Sequence, residues 1–141
     1  MKKTLYILIL VISGCSLTKN SPKKVFPSLI IQDNYFPPKD NAALTIMSAD
    51  LKKDNLTLIV QYGGGCKEHE FKLFSSGLFQ KKSPPRLKLF LEHNFNEDFC
   101  KKLVIDTLIF NVANGRYPDE ESKYKVEFEL DKFNEIIQYK Y

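Results

Sequence analysis

Residues 124–130 read Tyr124-Lys125-Val126-Glu127-Phe128-Glu129-Leu130. Tyr124, Val126, Phe128 and Leu130 fall on one side of an extended chain, and Lys125, Glu127 and Glu129 on the other. Strict alternation over seven residues predicts a β-strand with one face in a core and one in water. A helix would scatter the same residues around its axis, so this stretch commits its part of the chain to a sheet.

The same period recurs upstream. Leu44 and Ile46 alternate with Thr45 and Met47. Leu56, Leu58, Val60 and Tyr62 alternate with Thr57, Ile59 and Gln61, and the polar Lys52-Lys53-Asp54-Asn55 between these runs predicts a hairpin. Phe71 and Leu73 alternate with Glu70 and Lys72. After the turn signals Ser75-Ser76-Gly77 and Ser83-Pro84-Pro85, Leu87, Leu89 and Leu91 alternate with Lys88, Phe90 and Glu92. Val25–Ile31 is a candidate first edge strand weakened by Pro27. Leu103–Val112 is apolar nearly throughout, which predicts a strand covered on both faces. Asp131–Tyr141 stays open: Asp131 could cap a short helix carrying Phe133, Ile136 and Ile137, or Ile136–Tyr141 could be a last edge strand. Six to eight short strands without a helical period predict an all-β domain. We expect an antiparallel β-sandwich, immunoglobulin-like in outline, with a small open barrel as the alternative. Phe71, Leu73, Leu87, Leu89, Leu91, Val126 and Phe128 are the expected core.

At the N-terminus, Lys2 and Lys3 precede eight unbroken apolar residues, Leu5–Ile12. That is a secretory signal pattern, well short of the roughly 20 residues that span a bilayer. It ends in Ile12-Ser13-Gly14-Cys15, which resembles the lipobox of bacterial lipoproteins with a type II signal peptide. The resemblance implies cleavage before Cys15 and lipidation of its sulfur with a diacylglyceryl group, with palmitate-type acyl chains holding the protein at a membrane. Two or three chains on one residue anchor stably where one does not. The expected organisation is thus a signal peptide over 1–14, a lipidated tether over 15–24 and a folded domain over 25–141. The polar, basic Ser16–Lys24 suits a flexible tether. Ser16 behind the lipid cysteine favours the outer membrane under the sorting rule of enteric bacteria. Removing Lys2 and Lys3 lowers the formal net charge from +4 to +2. No basic stripe with interleaved aromatics points to nucleic acid.

The remaining chemistry gathers in Gln61–Phe71, Gln-Tyr-Gly-Gly-Gly-Cys-Lys-Glu-His-Glu-Phe, and in His93–Cys100. His69 and His93 are the only histidines; Cys66 and Cys100 are the only cysteines besides Cys15. Gly63-Gly64-Gly65 lacks a phosphate-loop ending and predicts a bulge or corner that delivers Cys66. An extracytoplasmic address permits a disulfide, and with Cys15 assigned to lipid the pair is Cys66–Cys100. Several readings of the histidines stand together. They are two side chains beside a disulfide, one packed and one solvated; or His69 and His93 bind zinc or copper, alone or with Glu68, Glu70, Glu92 or Asp98; or both cysteines join them in a Cys2His2 site. A cysteine–histidine nucleophile would need a free thiol of lowered pKa, there is no G-x-S-x-G elbow, and the acidic pairs Glu68/Glu70 and Glu97/Asp98 read as outward strand charges. The run Tyr62-Gly63-Gly64-Gly65-Cys66-x-x-His69-x-Phe71, with Leu91-x-His93 and Cys100, is similar to a motif in small uncharacterised bacterial lipoproteins, and the resemblance implies only that these positions belong together. The function expected is a non-catalytic binding or structural module anchored at the cell envelope; the alternative is a metal-binding protein or metalloenzyme using His69 and His93.

Overall fold

In a computed structural model the chain is described over residues 25–39, 41–118 and 125–141. The expected leader and tether, with Cys15, and the acidic tip Asp119-Glu120-Glu121 lie outside these residues. Nine strands form: β1 (Ile30–Ile31), β2 (Leu44–Lys52), β3 (Asn55–Gly64), β4 (Glu70–Ser75), β5 (Phe79–Gln80), β6 (Arg86–Asn94), β7 (Lys102–Asn111), β8 (Lys125–Leu130) and β9 (Ile136–Lys140). A 3-10 turn, Ala113–Gly115, follows β7.

The strands make two sheets that are not closed into a barrel. One has the order β2-β3-β7. The other runs β1-β4-β6-β8-β9, with β5 lying beyond the end of β4 along the same edge of β6. The smaller sheet is antiparallel throughout. The larger is mixed, because β1 runs parallel to β4 and β6 parallel to β8. The route of the chain accounts for the second of these: β7 carries it back in the smaller sheet before β8 begins, so β6 and β8 are not joined by a hairpin.

The alternating residues do what their period requires. Leu56, Leu58, Val60 and Tyr62 of β3, Leu73 of β4, Leu87, Leu89 and Leu91 of β6, Val126, Phe128 and Leu130 of β8, and Ile137 and Tyr139 of β9 are buried in one cluster between the sheets. Phe71 is only half-buried, at the cluster's edge. The C-terminal stretch resolves as an edge strand, not a helix. Ile137 and Tyr139 point inward two residues apart, and Tyr139 reaches Asp54, which also receives Arg116, tying β9 to the β2–β3 turn.

One expectation fails. β7 is not covered on both sides. Val104, Asp106, Leu108 and Phe110 turn toward the core side, whereas Leu103 and Ile105 stand 69% and 61% exposed on the outer face of the smaller sheet. The corresponding outer face of the larger sheet is sheltered at β4 and β6 by Tyr35, whose ring stacks on Phe74 at 4.4 Å and tilts against Phe90. The smaller sheet has no such cover among the described residues. A continuous apolar run therefore signalled an uncovered apolar face, which periodicity cannot distinguish from a doubly buried strand.

Candidate functional site

The site is built at the end of the sandwich where β3 leaves the small sheet. Gly64 and Gly65 have φ values of +144° and +91°, a region side chains avoid, and they swing the chain out of β3 into Cys66. A Cβ on Gly64 would lie 2.5 Å from His69 Nε2 and 3.1 Å from Asp98 Oδ2; one on Gly65 would lie 3.0 Å from Val104 Cγ2. Nothing lies within 4 Å of a Cβ on Gly63. The second and third glycines are thus required by conformation and by close approach, and the first is not.

Cys66 is joined to Cys100, with the two Cα atoms 6.0 Å apart, a spacing ordinary for disulfides. Between them sits Asp98. Its Oδ2 accepts from the backbone N–H of Cys66 at 2.8 Å and of Lys67 at 2.9 Å, and its Oδ1 accepts from the N–H of Cys100 at 3.0 Å. These donors, that of Lys67 first, hold the carboxyl well below the usual carboxylate range despite its burial. Asp98 is therefore ionised at neutral pH and organises the corner from within.

His69 and His93 continue the chain of contacts. β4 and β6 pair with Phe71 opposite His93. His93 ends the inward series Leu87, Leu89, Leu91 and is 2% exposed; the His69 side chain is also buried. His69 Nδ1 lies 2.7 Å from His93 Nε2, and His69 Nε2 lies 3.3 Å from Asp98 Oδ2. Aromatic rings hold the pair in place: Tyr62 packs on both, and Phe71 stacks on His93 at 4.6 Å. Burial pushes the His93 ring below its ordinary value. The Ala42 backbone opposes this and the neighbouring His69 ring adds to it.

The proton order follows from donor and acceptor logic. With Asp98 ionised and both rings neutral, His69 Nε2–H donates to Asp98, and His93 Nε2–H donates to His69 Nδ1. His93 Nδ1 is then a buried lone pair, and it has no hydrogen-bond partner. The 2.7 Å between the rings is hydrogen-bond spacing. Two nitrogens on one tetrahedral zinc at ~2.0–2.1 Å would stand about 3.3 Å apart, so joint ligation by His69 and His93 requires the rings to separate.

The structure thus brings together Cys66, Cys100, His69 and His93, as the sequence grouping implied, and adds Asp98 as their hub. Glu68, Glu70, Glu92 and Glu97 take no part in that chain of contacts: Glu92 accepts instead from the Tyr35 hydroxyl at 2.9 Å. Sequence reasoning listed Asp98 only as one acid among several. The signal that could have singled it out is its place two residues before Cys100, from where an aspartate can accept from the backbone N–H of residue i+2.

At the corner, a shallow depression of about 380 Å³ is lined by His93, Asp98 and Cys100 together with Ala42, Ala43, Gly63, Phe95 and Phe99. A second, of about 350 Å³, shares Ala43 and Gly63 and runs on past Gln61 to Leu103. Phe99 is 79% exposed at their rim. The outer face of the small sheet carries Leu103 opposite Gly63, Ile105 opposite Gln61, and Thr107 opposite Ile59, with the exposed Asp50–Lys52 ion pair farther along β2.

No family model matches the chain, and no curated protein sequence does. Its fold is similar to that of solved structures. A NigD-like immunity protein from Bacteroides caccae is 16% identical with a TM-score of 0.56, covering 82% of this chain and 59% of that one. A toxin-related protein from Parabacteroides distasonis is 17% identical with a TM-score of 0.50, covering 82% and 61%. A protein of unknown function from Bacteroides vulgatus is 15% identical with a TM-score of 0.50, covering 84% and 57%. The chain spans about three-fifths of the length of these structures, and at such identities the likeness is one of fold.

Proposed function

We propose that this protein is a lipoprotein of the bacterial envelope, anchored through acyl chains on Cys15, and that its domain is a non-catalytic module binding a protein partner on the outer face of the small sheet. The observation that carries the binding role is that face. Phe99, Leu103 and Ile105 are 79%, 69% and 61% exposed, and Met47 and Ile59 add to them. Large apolar side chains exposed together on one face are costly to leave in water and mark interaction sites. The stapled corner beside it keeps Phe99 and the start of β7 in fixed relation, lowering the ordering cost of binding. The descriptions of the structural neighbours, an immunity protein and a toxin-related protein, are compatible with binding instead of catalysis. The alternative, metal binding by His69 and His93 as a pair, would need that pair to open.

The test uses full-length protein in its own membranes. A photo-crosslinking residue at Ile105 should yield a discrete protein adduct that Leu103→Lys removes. The same residue at Lys72, on the exposed side of β4, should not yield it. Equal adducts at both positions, or none at Ile105, would overturn the binding role. Retention of Cys15→Ala in the membrane fraction would overturn the anchor.

A further inference from the structure

The corner holds more metal-ligating chemistry than a structural staple requires. Cys66 Sγ, Cys100 Sγ and a carboxylate oxygen of Asp98 all lie within 4.8 Å of one another. His69 Nε2 lies 3.3 Å from that carboxylate. In the oxidised protein the sulfurs are bonded to each other and offer no thiolate. We propose that the corner is a latent zinc site, opened by reduction of the Cys66–Cys100 bond and held by the two thiolates, the Asp98 carboxylate and His69 Nε2.

Four features of the corner fit this assignment. Two thiolates, one imidazole and one carboxylate are a tetrahedral donor set for zinc, and thiolates select it over hard cations. Thiolates on one zinc at ~2.3 Å stand about 3.8 Å apart, a separation that cysteines with Cα atoms 6.0 Å apart reach by side-chain rotation. The outer shell is already in place. A histidine that ligates zinc through one nitrogen usually donates its other N–H to an acceptor, and His69 Nδ1 is 2.7 Å from His93 Nε2. Three backbone N–H groups fix the Asp98 carboxylate. Finally, the corner is reachable: Cys66 is exposed, while Asp98 and both imidazoles are buried behind it.

The steps balance. A thiol or phosphine reductant supplies two electrons, and two protons from water complete the conversion of the disulfide to two thiols as the reductant is oxidised. Zinc then displaces one proton from each thiol. For His69 Nε2 to ligate, its proton must leave. The histidine pair accommodates this without a change in total charge: His69 takes a proton on Nδ1 and donates it to His93 Nε2, and His93 carries its own on Nδ1. The partnerless Nδ1 of the oxidised form is the place that proton goes. His93 is a positioning residue in this scheme and never touches the metal.

The experiment takes the full processed chain in detergent, oxidised or reduced anaerobically with a phosphine, and titrates it with cobalt(II) as a spectroscopic stand-in, followed by zinc. The reduced protein should bind one equivalent of cobalt with thiolate charge-transfer and tetrahedral d–d bands that zinc abolishes, and the oxidised protein should show neither. Cys66→Ser should remove the site. His69→Gln should alter the d–d bands by replacing nitrogen with oxygen. His93→Gln should leave the band shape intact while lowering affinity roughly 10–100-fold. If the reduced metal-free chain loses its β circular dichroism, zinc must restore it, because metal binding and folding are then one event. Absence of tetrahedral bands, absence of that rescue, or an identical spectrum in His69→Gln and Asp98→Asn would overturn the assignment; the last would mean chelation by an adventitious dithiol alone.

Discussion

Replacing Gly64 with alanine isolates what the corner demands of the backbone. The new Cβ would lie 2.5 Å from His69 Nε2, 2.6 Å from His69 Cε1 and 3.1 Å from Asp98 Oδ2. None of these atoms is the end of a flexible chain. The imidazole is wedged between Tyr62 and His93, and Asp98 is fixed by three backbone donors. Forcing one carbon into a packed site costs about 1–3 kcal/mol, and the left-handed φ of +144° adds on the order of 1 kcal/mol or more for a residue with a side chain. The expected loss is about 2–4 kcal/mol. With a urea dependence of about 2 kcal/mol per molar, the middle of the range for a small domain, the midpoint should fall by roughly 1–2 M. Gly63→Ala is the internal control, one residue away in the same strand. Its Cβ meets nothing within 4 Å, and a glycine inside a strand is itself worth about 0.5–1 kcal/mol less than alanine, so that variant should be neutral or slightly more stable. Equal midpoints for the two variants would refute the claim that His69 and Asp98 are packed against the Gly64 backbone.

Replacing both Cys66 and Cys100 with serine should cost about 3–4 kcal/mol in the chain-entropy account of a bridge with a sequence separation of 34, measured as a fall in urea midpoint relative to oxidised wild type. Truncating Leu89, fully buried between the sheets, to alanine should cost about 2–5 kcal/mol with no loss of the disulfide. The pH dependence follows from two depressed values. His93 titrates lower in the folded chain than in the unfolded one, so stability declines as pH falls below about 6.5. Asp98 is likewise depressed, so its contribution is present above about pH 4 and is lost as pH falls through its folded value. Asp98→Asn should be less stable than wild type at pH 7 and converge on it in acid. Asp54 and Glu127, also depressed, should keep some acid sensitivity in both; parallel pH profiles would show that Asp98 does not hold the corner.

The fold was legible because period two is a local property. Val126 and Phe128, or Leu87 and Leu89, declare a buried face without knowledge of the partner strand. The parallel pairing of β6 with β8 was not legible, since it depends on β7, the strand between them in sequence, joining the other sheet. β7 misled for a related reason. Leu103, Val104 and Ile105 are apolar on both faces, and whether anything covers the outer face is a question of layers, which no single strand encodes. At the site, rarity was the guide. Two histidines and the two cysteines besides Cys15, in adjoining segments, marked the corner, and the glycine run announced a turn. What could not be read was Asp98, one of 17 acidic residues, whose role rests on three backbone N–H groups that converge only when Cys66 and Cys100 meet. The distinction between Gly63 and Gly64 was equally out of reach, because it depends on where the His69 ring comes to lie.

Intact mass spectrometry of the protein extracted from its own membranes reads the proposed acyl anchor and the stapled corner in one experiment. The predicted species begins at Cys15, carries the added mass of a diacylglyceryl group with or without a third acyl chain, and gains two mass units and two alkylatable thiols on reduction. A chain that begins elsewhere without acyl mass, or one with two free thiols before reduction, would contradict it.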